Sequence, residues 1–142
     1  MKINPSLALI TLCALASSAR AEVKPNALFS DNAVLQQNAS VPVWGSAKEG
    51  EKVTVTLDGK TETTVAKEGK WMVRLKPHQA GGPFTLTIAG ENTITVNKVL
   101  VGEVWVCTGQ SNMAFNFQYA ANAATEAPLA NNPKLRMFTV PL

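Results

Sequence analysis

Hydrophobic and polar positions alternate along much of the chain between Val41 and Val106, and this pattern predicts β-structure. Short runs rich in Val, Thr and Ile are separated by turn residues, at a spacing typical of an antiparallel β-sandwich. The period of two is clearest where Val53, Val55 and Leu57 alternate with threonines. The predicted strands are Val41–Trp44, Lys52–Leu57, Lys60–Val65, Trp71–Leu75, Phe84–Ala89 and Ile94–Val99.

Turn residues between these runs predict how the strands connect. Asp58-Gly59 predicts a type I′ hairpin, because that turn needs positive φ at both central residues and Asp-Gly tolerates it. Trp44 and Trp71 lie in predicted strands, where packing is a commoner role for aromatic side chains than ligand stacking. Later turns are predicted at Glu68-Gly69, Gly81-Gly82-Pro83 and Gly90-Glu91-Asn92.

The pattern changes after Val99. A nearly continuous apolar stretch, Val101–Cys107, is typical of a parallel strand that is buried on both faces. The alanine-rich stretch Ala114–Ala130 has weak helical character, and Leu135–Val140 predicts another strand. Strand, serine-containing loop, helix and strand make one βαβ unit. One such unit cannot cover both faces of its own sheet, so we expect a fragment of a longer protein.

Composition and charge exclude some classes of protein. The 142 residues are 46% hydrophobic and 16% charged, which is too apolar for a disordered chain. The formal net charge is +3, and no cluster of Lys and Arg occurs along the chain. We therefore expect no nucleic-acid partner and no binding to an anionic membrane.

The first 21 residues have the features of a secretory signal peptide rather than of a buried helix. A positive start is followed by an apolar run, Leu7–Ala16, that is too short to span a bilayer. Ala19-Arg20-Ala21 is an A-x-A cleavage pattern. We expect an exported protein, periplasmic or extracellular, whose mature chain begins at Glu22 and has no membrane span.

Cysteine and histidine usage gives no catalytic or metal site. Cys107 is the single cysteine after the leader, and its apolar neighbours predict a buried thiol in a strand. His78 is the single histidine, and we interpret it as a solvated loop residue. One Cys and one His do not make a metal site, so no metal is expected.

A serine follows the apolar stretch, in Thr108-Gly109-Gln110-Ser111-Asn112-Met113. The end of a parallel strand is where α/β enzymes bind ligands and place a nucleophile, and Gly109 permits a sharp turn. Met113 stands where a G-x-S-x-G elbow has its last glycine. The spacing alone therefore favours a helix N-cap for Ser111 over a nucleophile.

The longer string Val99–Met113, together with Leu28–Gln37 and Val41–Gly45, resembles the sialate O-acetylesterases. These are carbohydrate esterases of the SGNH hydrolase superfamily, and Gly-Gln-Ser-Asn-Met behind Gly-Glu-Val-Trp is the specific part of the resemblance. Together with the signal-peptide pattern of residues 1–21, it implies a mainly β chain with an antiparallel Ig-like β-sandwich (22–98) and an incomplete part (99–142). That last part would be the first βαβ unit of a truncated SGNH-type three-layer α/β hydrolase domain.

The resemblance also implies the chemistry. Ser111 would attack an acetyl ester with its own backbone N–H in the oxyanion hole, and Gly109, Gln110 and Asn112 would form the active-site loop. The Asp and His of the triad are expected in later sequence, so this chain alone should be inactive, and no cofactor is implied. The implied partner is an O-acetylated sugar, sialic acid. An acetylxylan-type polysaccharide deacetylase and a non-catalytic glycan-binding β-sandwich module are the alternatives.

Overall fold

The computed structural model describes residues 22–140, and in them the chain is mainly β-structure arranged in two sheets. The strands are β1 (Lys24–Pro25), β2 (Val34–Gln36), β3 (Val41–Ser46), β4 (Lys52–Leu57), β5 (Lys60–Val65), β6 (Lys70–Leu75), β7 (Gly81–Ala89) and β8 (Thr93–Gly102). They are followed by one short helix, α1 (Ala123–Glu126), and by the 3₁₀ turns Ser111–Ala114, Phe117–Tyr119 and Ala127–Leu129.

The two sheets differ in size and in strand direction. The smaller sheet has the order β1-β3-β6 and is antiparallel. The larger sheet has the order β2-β8-β7-β4-β5, and its strands are antiparallel except that β2 runs parallel to the end of β8. Because of this pairing, Val34–Gln36 lies beside Leu100–Gly102, just before the serine segment.

One hydrophobic core joins the inward faces of both sheets. Val43 and Val73 enter it from the smaller sheet, and Val55, Leu86 and Val99 enter it from the larger sheet. Burial alternates along β4, as the period of two predicts. Burying one such side chain completely contributes roughly 1.5–3 kcal/mol, so this shared core is the main source of stability.

The six strands predicted between Val41 and Val99 are confirmed, and β4 and β5 have the predicted bounds. The hairpin between β4 and β5 has positive φ at Asp58 (48°) and Gly59 (71°), as a type I′ turn requires. The turn between β5 and β6 also has two consecutive residues with positive φ, Glu68 and Gly69.

The segment Gly81-Gly82-Pro83 is not the predicted turn but the beginning of β7. Gly81 pairs with Val101, and the register shifts before Phe84. A Cβ atom at Gly82 would lie 2.7 Å from the carbonyl oxygen of Val99, so the close approach of β8 explains the glycine.

The strand predicted over Val101–Cys107 ends early, because β8 stops at Gly102. Its edge partner β2 ends at Gln36, which lies opposite Gly102 in the register. An apolar run becomes a strand only where a neighbour completes its hydrogen bonds, and residues 103–107 have no such neighbour among the described residues. They are exposed and have no regular secondary structure.

The helix and strand predicted after Ser111 also differ from the structure. The helix expected over Ala114–Ala130 is reduced to α1 and single 3₁₀ turns, and Leu135–Val140 forms no strand. Short helices depend on packing of an apolar face, and the residues of these turns are not buried. The βαβ unit is therefore not formed within residues 22–140.

Two further predictions concern the ends of the domains. The predicted signal peptide, residues 1–21, lies outside the described residues. The predicted boundary between residues 98 and 99 falls inside β8, which continues the larger sheet to Gly102. Across residues 22–140, no helix has the length and apolar character needed to cross a membrane.

Candidate active site

Ser111 is exposed and begins a one-turn 3₁₀ helix that ends at Ala114. Gln110, in extended conformation, occupies the N-cap position and makes no side-chain capping bond. The carbonyl oxygen of Gln110 accepts a hydrogen bond from the Met113 N–H at 2.9 Å, which closes the turn. The N-cap role that spacing favoured for Ser111 is thus wrong, because the turn starts one residue earlier than a capping serine would require.

The other predicted site residues lie beside the serine on the same exposed segment. Gly109, Gln110 and Asn112 are all exposed, and the carbonyl oxygen of Asn112 accepts from the Phe115 N–H at 3.2 Å. A Cβ atom at Gly109 would lie only 2.5 Å from Cγ of Met113, so glycine allows the turn to fold back on that side chain. The sequence segment therefore forms a tight turn on which Ser111 is exposed.

A general base for Ser111 is not found near it in the described residues. No side-chain hydrogen bond or ion pair of residues 22–140 involves Ser111. A serine hydroxyl needs a base within hydrogen-bond reach, which is itself oriented by a third group.

The segment that leads to the serine is fastened to β2 by a network of side chains. Gln37 Nε2 donates to Glu103 Oε1 at 2.6 Å, and Gln36 Nε2 donates to Glu103 Oε2 at 3.2 Å. The Val104 N–H donates to Gln36 Oε1 at 2.8 Å. The two amide donors, Gln37 first and Gln36 second, lower the pKa of Glu103, because they stabilise its ionised form.

A second connection joins the end of the described chain to the β-domain. Arg136 Nη1 donates to Asn32 Oδ1 at 2.6 Å, and the Arg136 Nε atom is buried without a partner among the described residues. Asn32 has a positive φ of 69° and its own N–H donates to the Asn97 carbonyl oxygen at 2.9 Å. The loop before β2 is therefore held by β8 on one side and holds the last segment on the other.

His78 is paired rather than solvated, which corrects the sequence interpretation. Its Nε2 lies 2.9 Å from Asp58 Oδ2, its Nδ1 lies 2.7 Å from the Gln79 carbonyl oxygen, and its side chain is 15% exposed. Its ring meets that of Phe84 edge-on at a centroid distance of 5.0 Å. The Gln79 carbonyl and then the Asp58 carboxylate raise the pKa of His78, since both bonds favour the charged imidazolium.

The structure also tests the predictions for Cys107, Trp44 and Trp71. Cys107 is exposed and lies outside any strand, so the predicted buried thiol is wrong for the same reason as the strand. Trp71 is buried and its Nε1 donates to the Ser46 carbonyl oxygen at 3.0 Å. Trp44 packs edge-on against Phe29 at a centroid distance of 4.9 Å. Packing is therefore the role of both tryptophans, as the sequence predicts.

Sequence reasoning missed the three polar connections just described. The pairs Gln37–Glu103, Asn32–Arg136 and Asp58–His78 join residues far apart in sequence, and no spacing rule brings them together. In residues 22–140, no group of three or more His, Cys, Asp or Glu side chains is arranged to hold a metal ion.

Comparisons with family models and with solved structures indicate the class of protein to which the chain is related. No family model matches the chain. A solved structure, a carbohydrate acetylesterase from Xanthomonas citri, superposes with a TM-score of 0.75 and 37% sequence identity. The match covers 78% of this chain and 26% of that one. Fold and sequence together thus relate the chain to the carbohydrate esterases.

Sequence relatives narrow the class to one family. Sialate O-acetylesterase from Mus musculus is 38% identical over 82% of this chain, and that from Homo sapiens is 38% identical over 69% of it. The chain is a homologue of the sialate O-acetylesterases, and it spans about a quarter of the length of these relatives.

Proposed function

We propose that the protein carrying this chain is an exported carbohydrate O-acetylesterase with Ser111 as its nucleophile. The observation that carries the proposal is the 38% identity to sialate O-acetylesterase over 82% of the chain. The exposure of Ser111 on a tight turn that directly follows Gly109 supports the same role.

The proposed reaction has two acyl-transfer steps. Ser111 Oγ gives its proton to a base and attacks the acetyl carbonyl carbon, and the bond from that carbon to the sugar oxygen breaks as the sugar hydroxyl takes up a proton. Water then attacks the acetyl-enzyme, which releases acetate and restores the serine. The His and Asp that activate the serine and then the water are supplied by residues beyond those described.

The loop around the serine would stabilise the oxyanion of each tetrahedral intermediate. The backbone N–H of Ser111 is the donor that the resemblance assigns, while Gln110 and Asn112 line the same loop and Gly109 allows its fold. Donors that are already in place before the reaction are worth roughly 10²–10³ in rate each. Ester hydrolysis by an activated serine uses only protein groups in this scheme, so no cofactor is included.

The domain assignment is part of the proposal. Residues 22–98 would form an Ig-like β-sandwich and residues 99–142 would begin an SGNH-type α/β hydrolase domain. Support comes from the apolar side chains exposed after β8, such as Trp105 (83%), Val106 (87%) and Met137 (93%). In a complete hydrolase domain, neighbouring strands and helices would cover these side chains and supply the partners that the predicted βαβ unit needs.

The substrate we propose first is O-acetylated sialic acid, from the names of the relatives. A broader acetylated polysaccharide such as acetylxylan is the second candidate, because the structural neighbour is described only as a carbohydrate acetylesterase. Export is supported by the signal-peptide pattern of residues 1–21 and places the enzyme in the periplasm or outside the cell.

The test is acetate release by the full-length protein from O-acetylated sialic acid and, separately, from acetylated xylan. Ser111→Ala should lower kcat by at least about 10³-fold, as loss of a triad nucleophile does. Ser40→Ala, which changes another exposed serine, is the matched control and should keep wild-type turnover. Retention of most activity by Ser111→Ala would overturn the proposal, and the ratio of the two substrate rates decides between the candidates.

A further inference from the structure

The end of β8 carries a closed set of hydrogen bonds that leads directly into the serine segment. Gln36 pairs with Gly102 in the parallel register, and the Gln37 N–H donates to the Gly102 carbonyl oxygen at 2.8 Å. Immediately after that pair, both carboxylate oxygens of Glu103 accept from the two glutamine side chains. Gln36 accepts in turn from the Val104 N–H. The backbone hydrogen bonds between β2 and β8 are thus followed directly by hydrogen bonds between side chains.

The chemistry of this set fixes both the position and the direction of the backbone. A carboxylate accepts at two oxygens, and each glutamine amide offers an N–H donor, so the three groups satisfy one another. Gln36 uses its oxygen and its nitrogen at the same time, on Val104 and Glu103. Bonds to an ionised acceptor are about twice as strong as neutral ones, and the lowered pKa keeps Glu103 ionised.

Within the described residues, the network at Glu103 is the last connection between the β-domain and the serine segment before Ser111. Between Trp105 and Gly109, the described residues show no hydrogen bond to the β-domain, and all five positions are exposed. Within residues 22–140, the bond from the Val104 N–H to Gln36 is therefore the last hydrogen bond to the β-domain before the Ser111 turn. A displacement at Glu103 would shift the start of the segment that carries the serine.

We propose that Glu103, held by Gln36 and Gln37, is a positioning residue that sets the location of the Ser111 loop. This inference rests on the proposed function. It touches neither substrate nor the reacting atoms. It acts by fixing where the chain leaves the larger sheet, and so where the nucleophile meets the base and the acetyl group. A misplacement of about 1 Å at a reacting group costs on the order of 10²-fold in rate.

The experiment uses the full-length protein and three substitutions at the network. Glu103→Ala removes both acceptor oxygens. Glu103→Gln keeps the shape of the side chain but places an amide N–H₂ group opposite the N–H donors of the two glutamines. The double variant Gln37→Glu with Glu103→Gln exchanges donor and acceptor and restores one hydrogen bond from an amide to an ionised carboxylate. Glu49→Gln, at an exposed carboxylate elsewhere, is the matched control.

We expect kcat on a chromogenic acetyl ester to fall about 10- to 100-fold in Glu103→Ala and Glu103→Gln, with little change in KM. The exchanged double variant should recover most of the loss, and Glu49→Gln should lose nothing. Labelling by an organophosphonate should become slower in Glu103→Ala and still reach nearly all molecules. A merely structural role predicts the opposite, a smaller labelled fraction with normal turnover per labelled site.

Two outcomes overturn the inference: wild-type kcat in both single variants, or an exchanged double variant no more active than Glu103→Gln. Ser111→Ala, measured in parallel, separates this failure from that of the proposed function. If Ser111→Ala is inactive while the Glu103 variants turn over normally, only the positioning role is wrong. If Ser111→Ala remains active, the nucleophile assignment itself is wrong.

Discussion

Glu51 is a buried carboxylate, 7% exposed, that joins two turns of the β-domain. Its Oε1 accepts from the Glu91 N–H at 2.7 Å, and its Oε2 accepts from the Lys48 N–H at 3.0 Å. Replacing Glu51 with alanine removes both acceptors. A hydrogen bond to a charged group contributes roughly 1.5–3 kcal/mol, and water can replace part of it at turns near the surface. We therefore expect Glu51→Ala to lower the free energy of unfolding by about 2–4 kcal/mol.

The assay is urea unfolding followed by tryptophan fluorescence, with the buried Trp71 as reporter. Glu51→Gln keeps the shape and one acceptor oxygen, so its loss should be about half as large. Glu49→Ala removes an exposed carboxylate two positions away and should stay within about 0.5 kcal/mol of wild type. If Glu51→Ala also stays within that margin, the two backbone bonds do not stabilise the turns and the reasoning is refuted.

Three further predictions concern other parts of the chain. The hydrogen bonds from His78 to Gln79 and Asp58 raise its pKa above 6.5, so their stabilisation is complete below about pH 6.5 and is lost as the pH rises through the raised pKa. Unfolding free energy measured from pH 6 to pH 9 should fall less in His78→Gln than in wild type, and identical slopes would contradict this. Trp71→Phe should cost about 1–3 kcal/mol in urea unfolding, because it leaves the Ser46 carbonyl oxygen without its donor, and a cost near zero would show that the bond is replaced by water. The exported protein should begin at Glu22 by intact mass, and a retained leader would contradict the signal-peptide prediction.

The β-strands were predictable where local pattern and local turn chemistry agree. Alternation along β4, followed by Asp58-Gly59, defines a hairpin whose partners are adjacent in sequence. The short strands β1 and β2 were missed because they are two and three residues long and pair with distant residues. β1 forms by pairing with the end of β3 at Ser46, and β2 forms by pairing with the end of β8 at Gly102. No local sequence pattern encodes these pairings.

The serine segment shows the limit of reading an apolar run by itself. Val104, Trp105 and Val106 have strand-like composition, but their exposure shows that composition without a neighbouring strand does not form one. The position of Ser111 on a tight turn was predictable, because Gly109 and the polar string mark it. The network at Glu103 was not predictable, since Gln36, Gln37 and Glu103 meet only after the sheet is assembled.

Covalent labelling of Ser111 tests the central claim most directly. The full-length protein is treated with an organophosphonate that reacts with activated serines, and the modified peptide is identified by mass spectrometry. The proposed mechanism predicts one adduct, on Ser111, which excess acetylated substrate prevents and which Ser111→Ala abolishes together with hydrolysis. An adduct on a different serine, with acetate release lost in step with it, would contradict the assignment of Ser111 as the nucleophile.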